Sequence, residues 1–456
     1  MPFASRLLYP KGFMMAAALL LGTASNPAQA QVKDLLSLYH LAKLRDPNYL
    51  AAHAQARADQ EGEQQALGAL LPNVSANAQL KQEDTTNTLR SGQKADGESS
   101  PKSYAITLNQ ALFKPQAWET YQQGQLSTEL AQLSLAKAAQ ELIMRLSKTY
   151  FELLAAQDDL TSLLAQKNAT AEQLEFAKRN FEAGNATITD QQEAQARYDL
   201  ITAQELAARN TIDTRNLALE SIVGEKVELL SFLREDVMLQ PPQPENPEDW
   251  ASKAQGNNLD LQHARLNQLI AKHEVKKAQY GHYPTVDFSA QLLNSEQQML
   301  DSGTGQPFNV SADSKTLSLI LNIPLYSGGA AYSKVRQQAW LLEKAGSQVE
   351  LAERAATQEA KAAFLTVNSG LARVSALNTA VKSSELALKS NKKSYEVGVR
   401  INIDVLNAQQ QLNATQRDLA RAKYNALIGM LELKGATGEL DEKSLEEINA
   451  LLTAAP

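Results

Sequence analysis

The sequence predicts a mixed α+β chain in which four short strands are carried on very long helices, the whole pattern being written twice. Three observations predict it. First, a tip motif recurs: Phe181-Glu-Ala-Gly184 leads into Thr189-Asp190, and Tyr395-Glu-Val-Gly398 leads into Asp404. Gly184 recurs as Gly398 and Asp190 as Asp404 at one constant offset, so the tip belongs to a duplicated unit. Second, four segments alternate apolar and polar residues with the period of a strand. Third, apolar residues recur near every seventh position over long stretches, as a coiled-coil seam requires.

Within each tip, a long helix runs to the aromatic residue, glycine supplies a left-handed stop, and Asp190 or Asp404 is expected as N-cap of the returning helix. Composition suits this plan. Aromatics make up only 6% of 456 residues, which favours closely packed helices over a bulky core. A net charge of -7 excludes nucleic acid held by a basic face. Residues 1–30 resemble a secretory signal peptide: Arg6 and Lys11 precede an apolar run from Phe13 to Leu21, and Ala28-Gln-Ala30 forms the cleavage site. Cysteine is absent, which excludes an acylated N-terminal cysteine as anchor. No stretch is apolar enough for a transmembrane helix.

In chain order, helix is expected from Val32 to Ala69 with a break at Asp46-Pro47, then a strand hairpin over 73–113 with a polar loop from Gln82 to Lys102. A helical hairpin follows with its tip at 182–190, and Gly224 closes this first repeat, 31–223. Residues 224–250 are proline-rich and join the halves. The second repeat, 251–435, runs as one helix from Trp250 to Tyr280, a strand hairpin over 285–326 with a loop from Asn294 to Ser314, and a helical hairpin with its tip at 396–404. Residues 436–456 form a tail.

Four strands of about ten residues with one apolar face have the dimensions of a transmembrane barrel wall. Four cannot close a barrel, and open edges are not tolerated in hydrocarbon, so several chains must contribute. The alternative is a soluble periplasmic coiled-coil scaffold or binding protein whose strands form an ordinary half-buried sheet.

The chain resembles the TolC family of outer-membrane efflux and type I secretion ducts. The likeness rests on Asp46-Pro47-Asn48, Leu70-Leu71-Pro72, Tyr283-Pro284-Thr285, Ile323-Pro324-Leu325-Tyr326-Ser327-Gly328-Gly329 and both tips, in this order. The resemblance implies a homotrimer with a 12-stranded outer-membrane barrel, continued by a periplasmic α-helical barrel. It implies as partners a periplasmic adaptor protein and an inner-membrane ABC or proton-driven transporter, docking at the tips around Gly184 and Gly398. It also implies a closing latch in which Thr189 and Asp190 of the first tip face Tyr395 and Arg400 of the second, and a pore constriction ringed by Asp404 and Asn407. Two alternatives stay open beside these roles: Asp190 with Glu193 also fits a local capping box, and Asp404 fits a plain N-cap.

No catalytic constellation, cofactor motif or metal-ligand spacing is found, and no enzyme activity is expected. His273-Glu274 lacks the second histidine of a zinc-protease motif, Lys277 standing in its place.

Overall fold

Two long helical hairpins and a four-stranded sheet form the body of the chain. The computed structural model describes residues 32–453 apart from 89–91, 93, 185–186, 235–236 and 301–306. The signal peptide expected at 1–30 lies outside the described residues.

The chain opens with α1 (Leu35–Arg45) and α2 (Pro47–Gly68), separated by Asp46. Asp46 is buried; it accepts from the Tyr49 amide at 2.8 Å and pairs with Arg145 at 2.8 Å, so the break is a satisfied cap. Then come β1 (Asn73–Leu80), β2 (Glu83–Thr88), β3 (Lys94–Ser99) and β4 (Lys102–Phe113), and the hairpin of α3 (Pro115–Glu182) and α4 (Ile188–Val223). Past β5 (Phe232–Leu233), the order repeats with α5 (Pro247–Asn257), α6 (Leu259–Gln279), β6 (Thr285–Leu300), β7 (Pro307–Asn322), α7 (Ala330–Glu396) and α8 (Asn402–Ala436). The tail forms α9 (Glu442–Asn449) and β8 (Leu452–Thr453). At 1.5 Å per residue, α3 and α7 are each about 100 Å long.

The single helix expected from Trp250 to Tyr280 is in fact two. Asn258, buried like Asp46, ends α5 and caps α6 by accepting from the Leu261 amide at 3.0 Å, while its own amide donates to Ala436 O at 2.9 Å. Asp46 and Asn258 cap in the same way, each to the amide three positions on, and they hold corresponding places in the two repeats.

The sheet has the order β1-β4-β6-β7, all antiparallel. Its register sorts side chains by face: Val74, Leu108, Ala290 and Leu317 form one cross-strand row, and Ser75, Thr107, Gln291 and Thr316 the adjacent row on the other face. Gln110 interrupts the apolar face at its lower end, where its amide donates to Leu70 O at 2.7 Å. The strands depart from the expected lengths. Residues read as a loop from Asn294 to Ser314 continue the ladder as far as Leu300 and resume it at Pro307, while β7 stops at Asn322 instead of 326. The polar stretch 82–102 likewise holds a second ribbon, β2 with β3. Ladder hydrogen bonds join backbone to backbone, so a hairpin can outrun its apolar face. No helix among the described residues is long and apolar enough to cross a membrane.

The main core lies midway along the helices. It gathers Leu38 of α1, Leu146, Tyr150 and Phe151 of α3, Leu219 of α4, Leu427 of α8 and Leu445 of α9. Each such buried side chain is worth about 1.5–3 kcal/mol of transfer free energy. Around it the β5–β8 pair, a parallel bridge from Lys33 to Leu230, and the Asn449 amide donating to Asp34 at 2.8 Å tie both ends of the chain to the linker. Tyr150 donates to Ser231 O at 2.6 Å, so the linker is held from within.

Candidate functional site

The far ends of the two hairpins carry the residues singled out in the sequence. Gly184 at φ +75° and Gly398 at φ +78° both occupy the left-handed region that glycine alone enters without cost. At the second tip, Gly398 N donates to Tyr395 O at 3.0 Å and Val399 N to Ser394 O at 2.9 Å, the pair of bonds that makes a Schellman stop.

The N-caps lie three positions earlier than the sequence suggested. In α4 the cap is Thr187, whose hydroxyl accepts from the Asp190 amide at 3.2 Å while the Asp190 carboxylate accepts from the Thr187 amide at 2.9 Å and from its hydroxyl at 2.7 Å. Asp190 is therefore the reciprocal partner of a capping box, not the cap, and Glu193 has no part in it. These bonds, led by the one from the Thr187 side chain, hold the Asp190 carboxyl below its ordinary value. Thr189 is exposed one position earlier and makes no side-chain hydrogen bond among the described residues. In α8 the cap position falls on Ile401, which offers no side-chain oxygen, so Asp404 sits in the first turn without capping.

Tyr395 is half-buried, edge-on to Phe176 of α3 with ring centroids 6.0 Å apart. Burial, and then the negative charge of Asp190, push its hydroxyl above the usual value, so the first tip's carboxylate is felt by the second tip's tyrosine. Arg400 is engaged elsewhere: it donates to Asp404 at 3.3 Å, one turn along its own tip. Asn407 shares a helix face with Asp404 and accepts from Arg197 of α4 at 3.0 Å. Arg197 was not singled out in the sequence. Its signal was available, since it stands two helical turns after Asp190 and so on the same face of α4.

Behind the tips, each hairpin is closed by apolar packing, Leu174, Ala177 and Ala194 in the first, Val381, Leu388, Val405 and Leu412 in the second. Between the hairpins the main core continues, Phe151 of α3 stacking on Tyr424 of α8 with ring centroids 5.7 Å apart, and polar pairs flank it. Tyr424 of α8 donates to Asp158 of α3 at 2.6 Å, and Arg421 pairs with Asp159. Burial raises the Asp158 carboxyl despite that hydrogen bond. Among the described residues there is no cluster of acidic or histidine side chains fit to hold a metal ion.

This arrangement has close counterparts. The pattern of the outer membrane efflux protein family matches twice, at residues 38–225 and 250–439. The chain is 32% identical to the outer membrane protein TolC of Vibrio cholerae over 95% of this chain and 97% of that one. It is 31% identical to the alkaline protease secretion protein AprF of Pseudomonas aeruginosa over 91% and 86%. In fold it matches the crystal structure of the outer membrane protein VceC from Vibrio cholerae with a TM-score of 0.73 at 20% identity, covering 89% of this chain and 96% of that one. With its doubled family pattern, its long hairpins and its one-sided apolar sheet, the chain belongs to the outer membrane efflux protein family, as a TolC-type exit duct of the outer membrane for efflux or type I secretion.

Proposed function

We propose that the duct is a homotrimer of a tripartite secretion or efflux system, opened at its hairpin tips by a periplasmic adaptor and an inner-membrane ABC or proton-driven transporter. The observation that carries this is the open sheet: among the described residues β1 and β7 each pair on one side only, while Leu317, Leu319 and Leu321 stand exposed on one face. In hydrocarbon those edges must be closed by further copies. Two copies give an eight-stranded barrel, filled by its own side chains; three give twelve strands and room for an aqueous lumen. AprF, named for protease secretion, and TolC are both matched nearly end to end, which supports an exit duct serving a transporter that selects the cargo.

In this reading Gly184 and Gly398 shape the docking ends, Thr189, Asp190, Tyr395 and Arg400 latch the closed tips, and Asp404 with Asn407 lines the constriction. Support comes from the effect of the Asp190 charge on Tyr395 and from Asp404 and Asn407 sharing one face near the start of α8, where Arg197 of α4 meets Asn407. The test is to purify the protein from outer membranes in detergent and reconstitute it in planar bilayers. A three-copy particle with small resting conductance is expected, and a one-copy particle recovered from the soluble periplasm would sink the proposal.

A further inference from the structure

We infer that Arg197 is a specificity-determining residue of the aperture, setting a level of positive charge just inside the Asp404 level, where anionic groups such as carboxylates and phosphates are held. The inference rests on the constriction proposed above, in which Asp404 and Asn407 line the opening.

Arg197 reaches from α4 of the first hairpin to α8 of the second, where its Nη2 donates to Asn407 Oδ1 at 3.0 Å. That acceptor is neutral. Glu193 precedes Arg197 by one turn, a spacing that favours pairing, yet Arg197 forms no ion pair among the described residues. The other cation at this end is already matched, since Arg400 donates to Asp404 at 3.3 Å. Asp190 lies two turns from Arg197 toward the tip, about 10 Å along α4, and physiological salt screens charges over about 8 Å. The aperture therefore carries two signs. Asp404 is the acidic level, and Arg197, brought to Asn407, is a basic level about 4.5 Å further in along α8. Three copies place three guanidinium groups around the opening, and rings of arginine are how pores hold anions.

The duplication shows that the fold does not require this cation. The alignment that lays Gly398 on Gly184 lays Gln411 on Arg197, and Gln411 donates to Thr415 within its own helix at 3.3 Å. A hairpin of the same design forms without it. The same alignment lays Asp404 on Asp190 and Asn407 on Glu193. The first copy thus has two carboxylates three positions apart where the second has one, and the one it lacks is the one that would neutralise Arg197. A carboxylate at 407 would take the guanidinium in a bidentate pair. An amide oxygen occupies one of its five N–H donors, and the others are left for a passing anion.

Arg197→Gln removes the charge and Asn407→Asp cancels it. Both are expected to move the reversal potential in a KCl gradient toward the potassium value, the chloride-to-potassium permeability ratio falling about fivefold, the weight of one unit charge at 4 Å in water. Arg197→Lys keeps the charge and the ratio. Block by inorganic pyrophosphate added on the tip side should follow the same order, present in the native duct and in Arg197→Lys and weakened in the other two. The reversal potential does not depend on how many ducts are open. A strut that only steadies the tips would change the conductance of Arg197→Gln and leave the ratio unmoved, and that result overturns the inference. Asp404→Asn separates it from the reading beneath. A ratio that responds to Asp404→Asn but to neither Arg197→Gln nor Asn407→Asp removes Arg197 from the aperture and keeps the constriction. A ratio unmoved by all three overturns both.

Discussion

Arg400 donates to Asp404 at 3.3 Å across one turn of the second tip, so the cation of the proposed latch is already tethered to the carboxylate of the proposed constriction. The two sites are therefore coupled, and what loosens one changes the other. The first prediction is that Arg400→Ser and Asp190→Ala each raise the conductance of the resting duct. An exposed pair contributes about 0.5 kcal/mol, so three copies together change the open population by about tenfold. Single-channel recording in planar bilayers measures it, and unchanged conductance in both variants counts against the latch.

The same tether sets the sign of a second effect. Arg400→Ser frees the Asp404 carboxylates, and a ring of free carboxylates attracts cations more strongly. Block by a trivalent hexammine ion should therefore strengthen in Arg400→Ser and weaken in Asp404→Asn. A block insensitive to both substitutions would place the constriction elsewhere.

Acid acts on the first tip through Asp190. Its carboxyl is held below the ordinary 3.8, so its bonds to Thr187 stabilise the cap at any pH above that value and are lost as pH falls through the depressed value. Conductance should be flat from neutrality down to about pH 4 and rise only below it, with Asp190→Asn abolishing that step. Tyr395 moves the other way: its raised hydroxyl remains a donor beyond the usual value of 10.0, so mild alkali should leave the tip closed.

Gly224 and Gly438 close the two repeats at corresponding positions, at φ +75° and +73°. A left-handed alanine costs about 1–2 kcal/mol at either place. At Gly224 a new Cβ would lie 3.2 Å from the flexible Arg45 side chain, whereas at Gly438 it would lie 2.1 Å from the backbone oxygen of Asn257. Gly438→Ala should therefore abolish the assembled duct and Gly224→Ala only lower its thermal stability, read from outer-membrane yield and from the dissociation temperature of the oligomer.

Both tip glycines and the closing Gly224 were legible because a left-handed stop has one cheap residue. The caps were not. Asp190 is a good N-cap by type, but Thr187 just before it is another, and only the path of the chain selects between them. Asn257-Asn258 offers a break, but asparagine is also tolerated inside a helix, so residue type alone does not stop the helix there. The pairing of β5 with β8 left no trace, since strands so short have no period to detect.

By itself, then, the sequence determined the doubled plan, the helical hairpins, the one-sided strands and the places where the chain turns. These depend on local propensity and on spacing along the chain, which a sequence displays directly. Only the tertiary structure decided that Arg400 turns to Asp404, that Asn407 meets Arg197 and that Tyr424 reaches Asp158 from one hairpin to the other. Those contacts join residues that are chosen by packing, between side chains whose alternatives differ by no more than about 1 kcal/mol, and spacing carries no record of so small a preference.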